Sequence, residues 1–501
     1  MSLIQELYNS FNKNKNKRAF CVNGVDISYA EFQKYVNGTR ELIEKIIHSS
    51  NNPVGIVCYE NIETYAAIFA TWFSGNYFVP LNPKHPSRRI QSIIENVGIR
   101  NVLTSKKDEA EFIGAKEKLH FINNARIKSA KEKEPKNARD GQLLYVLTTS
   151  GSTGIPKYVP INLGNMEAYC HGFMDMFPEM NSDDCFLQVY DLTVDASFTS
   201  YIIPLLAGAC VYTLPDGPFK FLTIAKVLSD KKISWVKITP SVLSFLSPHK
   251  SQLNFKHLKC VILGGEALPV SLLKNWLPLF PDTVVTNHYG PTETTVGVTS
   301  YIIKDRQNVR SKNGVVSIGK PFKTVESIIV NEDGSEIRSG DNGELCISGN
   351  QVMPGYLSGD DSSFINLKVN NRIKRYYRTG DIVQKDKNGF IYYIGRTDDQ
   401  VKIEGHRINL VEIENRARDV LPGYNVVMVA HEKLPGVKRL YLFVEGSDID
   451  KQKIKSGLIE KLPPKMIPED IYTIEKIPLT TGGKTDKKRL VKDFLVNLTD
   501  R

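Results

Sequence analysis

Short apolar segments alternate with helix-like stretches along the chain as far as about residue 315. The segments VGIVCY, LLYVLT, WVKIT and CVILGG are rich in aliphatic and β-branched residues, as strands buried on both faces are. Stretches such as YAAIFATWFSG between them have the length and composition of helices. Because this pattern requires strands and helices to share one core, it predicts α/β architecture with buried strands.

The pattern changes beyond about residue 315. Shorter alternating segments such as GELCIS and GFIYYIG, separated by turn signals, predict more antiparallel sheet. After Gly395, strand, helix and strand patterns return over a length that suffices for a separate domain of about 100 residues. A chain of 501 residues is too long for one compact core, so we predict a domain boundary at residues 395–400.

The composition narrows the class of protein. Hydrophobic residues make up 41% and charged residues 24%, which is typical of a soluble globular enzyme and not of a disordered or fibrous chain. The longest nearly uncharged stretch, residues 201–214, is too short to span a bilayer, and the N-terminus lacks the order of a signal peptide. Seven cysteines without a CxxC pair argue against a disulfide framework and a zinc site. We expect a cytoplasmic protein without membrane contact.

The formal net charge is +10, from 65 Lys+Arg and 55 Asp+Glu. Nucleic acid, an anionic membrane, polyphosphate or an acidic protein would each suit this charge. However, the excess is spread along the chain, and its local clusters contain few aromatic residues. The distribution favours solvated surface lysines, and we predict no nucleic-acid partner.

The segment TTSGSTGIPK, residues 148–157, directly follows a predicted strand. Its small residues offer backbone N–H groups and hydroxyls that can surround an anion, and Lys157 adds a positive charge. Neither this segment nor Gly483-Lys484-Thr485 has the spacing of a Walker A loop, and no GxGxxG follows a strand. By composition alone, the segment is either an anion-binding loop or a flexible linker.

Other segments carry side chains suited to a nucleotide. In NHYGPTETT, residues 287–295, a tyrosine can present its ring to a base, and Glu293 can offer a carboxylate to Mg²⁺. In YRTGD, Asp381 follows a tight turn and can accept both hydroxyls of a ribose. Two more segments complete the set, GRTDDQVKIEGHRIN at residues 395–409 and PLTTGGKTD at residues 478–486.

These segments, in this order and at these separations, resemble those of the adenylate-forming ligase superfamily. It includes acyl-CoA synthetases, luciferase and the adenylation domains of nonribosomal peptide synthetases. The resemblance covers essentially the whole chain and looks closest to stand-alone amino acid adenylation enzymes such as D-alanyl carrier protein ligase. It implies an N-terminal domain, residues 1–395, of α/β layers with a small β-barrel-like subdomain. A hinge at residues 396–400, centred on Asp398, would lead to a small mobile α+β C-terminal domain, residues 401–501.

The resemblance also implies a two-step reaction. A carboxylate attacks the α-phosphate of MgATP, which gives an acyl-adenylate and pyrophosphate, and a thiol then takes the acyl group. The implied catalytic residues are Thr153 of the phosphate loop, Glu293 as the Mg²⁺ ligand, and Lys484, which would bridge the carboxylate and the α-phosphate. ATP and Mg²⁺ are therefore the expected cofactors.

By the same resemblance, Tyr289 would stack on adenine, Thr292 would contact the α-phosphate, and Asp381 would bind the ribose. The full expected ATP-binding set is Thr149, Ser150, Gly151, Ser152, Thr153, Gly154, Lys157, Gly265, Glu266, His288, Tyr289, Gly290, Thr292, Asp381, Arg396 and Lys484.

Each of these residues also has a structural interpretation. Without the family, Lys484 would be a solvated charge in a lysine-rich tail, and Asp381 and Asp398 would be ordinary turn residues. Tyr289 would be a core aromatic, and Glu293 a carboxylate at a helix N-terminus. The presence of all five segments in register favours the functional interpretation.

The segment YDLTVDASF, residues 190–198, resembles the Phe-Asp-x-Ser element of amino acid adenylation domains, with Val194 in place of Phe. In that branch the aspartate pairs with the α-ammonium of the substrate, and a buried carboxylate needs such a cation. Asp195 therefore indicates an amino acid rather than a fatty or aryl acid, unless it only caps a helix. The expected pocket lining is Asp195, Ala196, Thr199, Thr239, Ile262, Gly264, His288 and Val296.

No carrier segment follows Lys484, so we expect the acceptor thiol on a separate carrier protein with a phosphopantetheine arm. Such carriers tend to be acidic, which is consistent with steering by the net charge of +10. The leading hypothesis is a monomeric amino acid–carrier protein ligase that uses MgATP. The alternatives are a carboxylic acid–CoA ligase and a non-catalytic nucleotide-binding homologue.

Overall fold

The computed structural model describes residues 1–106, 118–122, 131–139, 141–150, 156–215, 220–337, 340–369, 372–447, 449–480 and 485–496. Its strands, in chain order, are β1 (Arg18–Val22), β2 (Val25–Ser28), β3 (Pro53–Val57), β4 (Tyr77–Leu81), β5 (Asn101–Thr104), β6 (Lys118–Phe121), β7 (Leu143–Thr149), β8 (Lys157–Asn162), β9 (Cys185–Gln188), β10 (Cys210–Thr213), β11 (Trp235–Ile238), β12 (Cys260–Gly264), β13 (Val284–Tyr289), β14 (Thr299–Ile302), β15 (Ser311–Lys312), β16 (Val315–Val316), β17 (Lys320–Pro321), β18 (Val325–Val330), β19 (Asn342–Gly349), β20 (Phe364–Val369), β21 (Arg372–Lys385), β22 (Ile391–Arg396), β23 (Gln400–Ile403), β24 (His406–Asn409), β25 (Val426–Leu434), β26 (Val437–Glu445) and β27 (Asp470–Ile474).

The α-helices among these residues are α1 (Leu3–Lys13), α2 (Tyr29–Ile46), α3 (Ile62–Phe73), α4 (Ser87–Val97), α5 (Leu163–Met176), α6 (Ala196–Ala207), α7 (Lys220–Asp230), α8 (Pro240–Leu246), α9 (Val270–Trp276), α10 (Leu410–Val420), α11 (Lys451–Ile459) and α12 (Lys487–Leu490). Short 3₁₀ turns and a final π-helical segment, Val491–Val496, complete the helical structure.

Two large sheets form the N-terminal part. The first has the strand order β17-β14-β13-β12-β11-β9-β10-β1-β2, and its central strands, from β13 to β1, are parallel to one another. The second has the order β6-β5-β3-β4-β7-β8, with β8 antiparallel at one edge. The predicted α/β architecture with buried strands is confirmed, and the helix expected in YAAIFATWFSG is part of α3.

One hydrophobic cluster contains side chains from both large sheets and from the helices packed on them. Trp72 of α3 and Tyr145 of β7 are fully buried in it, and the rings of Tyr145 and Phe198 of α6 lie 4.3 Å apart. Burying each such side chain contributes about 1.5–3 kcal/mol. This core therefore holds α6 firmly against the sheets, and α6 is the helix on which the candidate site depends.

Residues 325–396 form a smaller antiparallel sheet. Its order is β18-β19-β21-β20, and β22 pairs with the second half of the long strand β21. Among the described residues these pairings leave the sheet open, so the β-barrel-like subdomain of the prediction is an antiparallel sheet that does not close into a barrel. The strand pair β21–β22 places Asp381 opposite Arg396.

The C-terminal part has a core of its own. The hairpin β23–β24 precedes α10, and β25, β26 and β27 form a three-stranded sheet. A separate hydrophobic cluster runs from Ile403 to Ile471 and includes Ile413 of α10 and Leu442 of β26. This is the small α+β unit that was predicted.

In the part of the chain that the structure describes, no helix combines the length and the apolar composition needed to cross a membrane.

Candidate functional site

A cavity opens at the carboxyl ends of the parallel strands of the first sheet. Asp195 and Ala196 at the start of α6 line one side, and Lys237 and His288 come from β11 and β13. The β23–β24 hairpin closes the cavity from the C-terminal part, where Gly405 approaches the side chains of Thr239 and Tyr190. Crevices at the carboxyl ends of parallel strands are the usual ligand sites of such sheets.

Asp195 is buried at this cavity, with 9% of its surface exposed. It occupies the N-cap position of α6, but its side chain makes no capping hydrogen bond. Its Oδ2 atom has no hydrogen-bond partner among the described residues. Burial raises the pKa of Asp195, although the cation of Lys237 and a hydrogen bond from Thr292 act in the opposite direction. The carboxylate is thus available to a cation that enters the cavity.

A second cavity adjoins the first and contains Tyr289, Asp381 and Arg396. The hydroxyl of Tyr289 donates to Asp381 Oδ2 at 2.5 Å, and Arg396 Nη1 lies 2.6 Å from Asp381 Oδ1. Gly380 permits this approach because its φ is +71° and a Cβ there would lie 2.6 Å from Arg396 Nη2. The structure therefore brings together three residues that the sequence placed in three separate segments.

Glu293 lies in a 3₁₀ turn after β13 and is 1% exposed. Both of its carboxylate oxygens accept hydrogen bonds of 2.9 Å from Arg407 Nη1, and Tyr356 donates to Oε1 at 2.9 Å. Burial raises the pKa of Glu293, but Arg407 and these hydrogen bonds outweigh burial, and the pKa is lowered. Glu293 is therefore an ionised carboxylate that is paired across the two parts of the chain.

The chemistry of Glu293 suits Mg²⁺, which prefers hard oxygen ligands and is often held by one or two carboxylates together with substrate phosphates. In the orientation of the structure, Arg407 occupies both oxygens. A metal ion held by this carboxylate would therefore have to compete with Arg407.

The predicted phosphate loop connects β7 and β8, which pair as an antiparallel hairpin with Thr149 opposite Lys157. Ser150 Oγ donates to the carbonyl of Arg407 at 2.7 Å. Lys157 Nζ lies 3.0 Å from Asp360 and 4.5 Å from the centre of the Tyr356 ring. Gly151, Ser152, Thr153 and Gly154 lie outside the described residues.

The other predicted nucleotide residues surround the two cavities. Gly290 and Thr292 line the first, Glu266 lines the second, and Gly265 and His288 line both. Glu266 also accepts a hydrogen bond from the backbone N–H of Ser241 at 3.0 Å.

The predicted substrate pocket is found only in part around the first cavity. Asp195, Ala196, His288 and Val296 line it, whereas Thr239 faces a third cavity and bonds to Ser241 Oγ at 2.7 Å. Val296 has a φ of +67°, a left-handed conformation that is strained for a β-branched residue. Thr199, Ile262 and Gly264 are buried on α6 and β12 and are not among the residues that line this cavity.

Lys237 is the residue that the sequence interpretation missed. It lines the first cavity from the middle of β11, is 3% exposed, and donates to Thr199 Oγ1 at 3.0 Å. The available signal was a lysine inside the apolar segment WVKIT, two residues before the predicted Thr239. A charge at the centre of a buried strand is rare unless it has a partner.

Asp398 lies between the small sheet and the hairpin β23–β24. Arg396 bonds to it through Nε at 2.6 Å and through Nη2 at 2.9 Å. Beside it, Lys487 Nζ lies 2.6 Å from Asp399 Oδ1. Lys484 lies outside the described residues, and Leu479 and Thr485, which are described, form an isolated antiparallel β-bridge.

Comparison with known proteins gives consistent results. A family model described as AMP-binding enzyme matches residues 7–357. Zwittermicin A synthase ZmaJ of Bacillus cereus is 31% identical over 93% of this chain and 90% of its own length. Gramicidin S synthase 2 of Brevibacillus brevis is 29% identical over 99% of this chain, but the chain spans only 11% of that relative. The Vibrio cholerae adenylation domain AlmE, solved with glycyl-adenosine-5'-phosphate, is 25% identical, with a TM-score of 0.86 over 99% of this chain and 97% of its own.

Proposed function

Because the chain belongs to the AMP-binding enzyme family, we propose that it activates an amino acid with ATP and transfers the aminoacyl group to a thiol on a carrier protein. In the first step a carboxylate oxygen of the amino acid attacks the α-phosphorus of ATP, and the bond to pyrophosphate breaks. In the second step the sulfur attacks the acyl carbon, and the bond to AMP breaks.

The observation that carries the choice of an amino acid is the buried Oδ2 atom of Asp195, which has no partner among the described residues. A carboxylate in this environment is stabilised by a cation that arrives with the ligand. The α-ammonium of an amino acid supplies that cation, whereas a fatty or aryl acid does not. In this proposal Asp195 binds the α-ammonium, which takes no part in the reaction.

We assign the nucleotide to the second cavity. Tyr289 offers its ring to the base, and the hydrogen bonds from Tyr289 and Arg396 hold the carboxylate of Asp381 in position for the ribose hydroxyls. We assign the phosphates to Thr292 and the segment of residues 150–157, and Glu293 would hold Mg²⁺, which supplies positive charge to the phosphate oxygens when bound. Placing fixed donors and cations where negative charge develops is the main means of catalysing such a transfer.

The acceptor has a candidate route. A third cavity shares Tyr190, His85 and His406 with the first and extends between the N-terminal part and residues 463–465. A thiol on a long flexible arm could reach the first cavity along it. We propose that the arm belongs to a carrier protein that binds in trans, because the net charge of +10 favours an acidic partner.

The two steps need different orientations of the C-terminal part. In the orientation described, Arg407 is paired with Glu293 and Ser150 is bonded to the Arg407 carbonyl. We propose that this is the orientation for thiol transfer. A rotation about Asp398 would withdraw Arg407 and bring Lys484 to the carboxylate and α-phosphate for the first step.

The test is pyrophosphate exchange into ATP with the purified chain, measured with each amino acid and with simple carboxylic acids. We expect exchange with an amino acid and none with acids that lack an amine. Exchange with acids alone would instead favour a carboxylic acid–CoA ligase. The absence of exchange with every acid would favour a non-catalytic homologue.

The variant Lys484→Ala tests whether Lys484 acts in the first step. We expect exchange to fall by at least about 100-fold, in the range seen when one stabilising group is removed from a transition state, while ATP binding measured by calorimetry changes little. Lys492→Ala, at an exposed lysine eight positions later, serves as the matched control. Unchanged exchange in Lys484→Ala would exclude the assigned role.

A further inference from the structure

Lys237 brings a buried positive charge to the cavity that contains Asp195. Its ammonium donates to Thr199 Oγ1 at 3.0 Å. Within the described ranges this is its one hydrogen bond, although an ammonium carries three N–H donors. Among the same residues, no carboxylate oxygen lies within the 4.0 Å of an ion pair. The chain as described therefore leaves part of a buried cation without a partner.

His288 adds a second unpaired group. Its ring is 4% exposed and lies against Phe173, Phe177 and Phe322, with ring centres 5.9, 6.1 and 5.9 Å away. Neither ring nitrogen has a hydrogen-bond partner among the residues described. Burial, together with the cation of Lys237, lowers the pKa of His288 well below its usual value. The imidazole is therefore neutral and has one N–H donor to offer.

The sheet register places both donors on the same face. Lys237 is opposite Ile262, and His288 is opposite Gly264 two residues further along β12. Residues that are paired or two apart share a face of the sheet. Gly264 adds no side chain beside the imidazole, and both Lys237 and His288 line the first cavity. An acceptor in the first cavity can receive hydrogen bonds from both.

The charges in the cavity determine which ligand can enter. Asp195 and Lys237 are opposite charges that influence each other's pKa, but they do not form an ion pair. An amino acid with a neutral side chain would bring its ammonium to Asp195 while its α-carboxylate reacts with ATP, so that Lys237 would gain no anionic partner. Uncompensated buried charge is costly. A ligand with an ammonium and a second carboxylate would give each buried charge its own partner.

We propose, on the basis of the proposed function, that the activated substrate is an amino acid with a side-chain carboxylate, and specifically aspartate. Its α-ammonium pairs with Asp195, and its side-chain carboxylate accepts hydrogen bonds from Lys237 and His288.

The geometry favours the shorter of the two common acidic side chains. Asp195 and Thr199, which holds Lys237, are four residues apart at the start of α6. The Cβ atoms of residues at this spacing lie about 5–6 Å apart on one helix face. The ammonium and side-chain carboxylate of aspartate are close enough to bridge such a gap, whereas glutamate adds a methylene between them.

The competing explanation is that Lys237 only neutralises Asp195 across the cavity. Replacing Lys237 would then weaken activation of every amino acid alike. If Lys237 instead binds the side chain, its replacement changes the order of preference. Lys237→Met keeps an unbranched side chain, one atom shorter, and removes the charge, so the preference should move from aspartate towards asparagine, its neutral analogue.

The experiment is pyrophosphate exchange with aspartate, glutamate, asparagine, glutamine, leucine and succinate, for the wild type and Lys237→Met. In the wild type we expect aspartate to exceed asparagine by at least about 100-fold, since a site built for a polar group strongly rejects an analogue that leaves its buried groups unpaired. In Lys237→Met we expect exchange with aspartate to fall by at least about 100-fold and the ratio of aspartate to asparagine to collapse. Lys232→Met, at an exposed lysine just before β11, should keep the wild-type order.

If Lys237→Met turns over too slowly, calorimetry can still compare its binding of aspartyl sulfamoyl adenosine with its binding of the asparaginyl analogue. A wild type that prefers a neutral amino acid would overturn the inference and leave the proposed function standing. Exchange with succinate but with no amino acid would overturn both. An equal loss for all amino acids in Lys237→Met would assign the lysine to neutralising Asp195.

Discussion

At the scale of a single residue, Lys237 is a side chain of the candidate site whose burial opposes the stability of the fold. It is a cation in a buried strand, and burial lowers its pKa to about 8 in spite of the attraction of Asp195. The ammonium of Lys402, whose pKa is also lowered by burial, is attracted by the same carboxylate and repels the ammonium of Lys237. Such a residue makes folding less favourable wherever it is charged, so its presence is better explained by a ligand than by the fold.

This shift gives a prediction for stability against pH. The pKa of Lys237 is about 8 in the folded protein and about 10.4 in an unfolded chain, so between these values the unfolded state binds more protons. The free energy of unfolding therefore rises with pH in this window, by up to about 3 kcal/mol at 1.36 kcal/mol per unit. Lys237→Met should lack this rise. Denaturant unfolding of both proteins from pH 7 to pH 10 measures the difference, and a difference that stays flat would contradict the lowered pKa.

At the scale of an element, β12 controls how close its neighbours can come. A Cβ on Gly264 would lie 2.7 Å from the backbone oxygen of His288, closer than real Cβ atoms approach backbone atoms. Because this contact involves backbone, it cannot be relieved by a side-chain rotation. The glycine thus sets the spacing between β12 and β13 at the wall of the first cavity.

We therefore expect Gly264→Ala to destabilise the protein by about 1–3 kcal/mol, as overpacking of a core commonly does, and to lower amino acid activation. Gly395→Ala is the matched control, because a Cβ there meets nothing within 4 Å. Chemical denaturation and pyrophosphate exchange would be measured for both variants. Equal stability of the two variants would show that β12 can move aside.

At the scale of the whole molecule, two ion pairs hold the C-terminal part in its orientation against the N-terminal part. The Arg407–Glu293 pair and the Arg89–Glu412 pair, each at 2.9 Å and each with a carboxylate that is 1% exposed, join the C-terminal part to the N-terminal part. Removing one partner of a buried pair costs about 3–5 kcal/mol because the other charge is left uncompensated. These contacts therefore stabilise the described orientation relative to any other.

Arg407→Met should shift the balance away from this orientation. We expect loading of a carrier protein to fall by at least about 10-fold, and pyrophosphate exchange to stay at or above the wild-type rate, since Glu293 is released for Mg²⁺. Arg416→Met, at an exposed arginine of α10, is the control. If exchange fell as strongly as loading, Arg407 would be needed in the first step as well.

Much of the fold could be predicted because its signals are local. The segments LLYVLT, WVKIT and CVILGG lie in β7, β11 and β12, since a strand buried on both faces must be apolar throughout. Among the described strands, the β-barrel-like subdomain is an open antiparallel sheet. Whether a barrel closes depends on whether its two edge strands pair, and no local sequence pattern predicts this.

For the site, the sequence by itself determined which residue types stand in each segment, and with them the family and the candidate roles of Glu293, Asp381 and Asp195. Only the tertiary structure decided that Lys237 lines the first cavity and Thr239 the third, because Thr239 lies beyond the end of β11, at the N-cap of α8, where the alternation of the strand no longer applies. It also decided that Arg407 reaches Glu293, a contact between residues 114 positions apart. Such a contact depends on how two separately folded parts dock, and the free energy of docking comes from contacts spread over both surfaces.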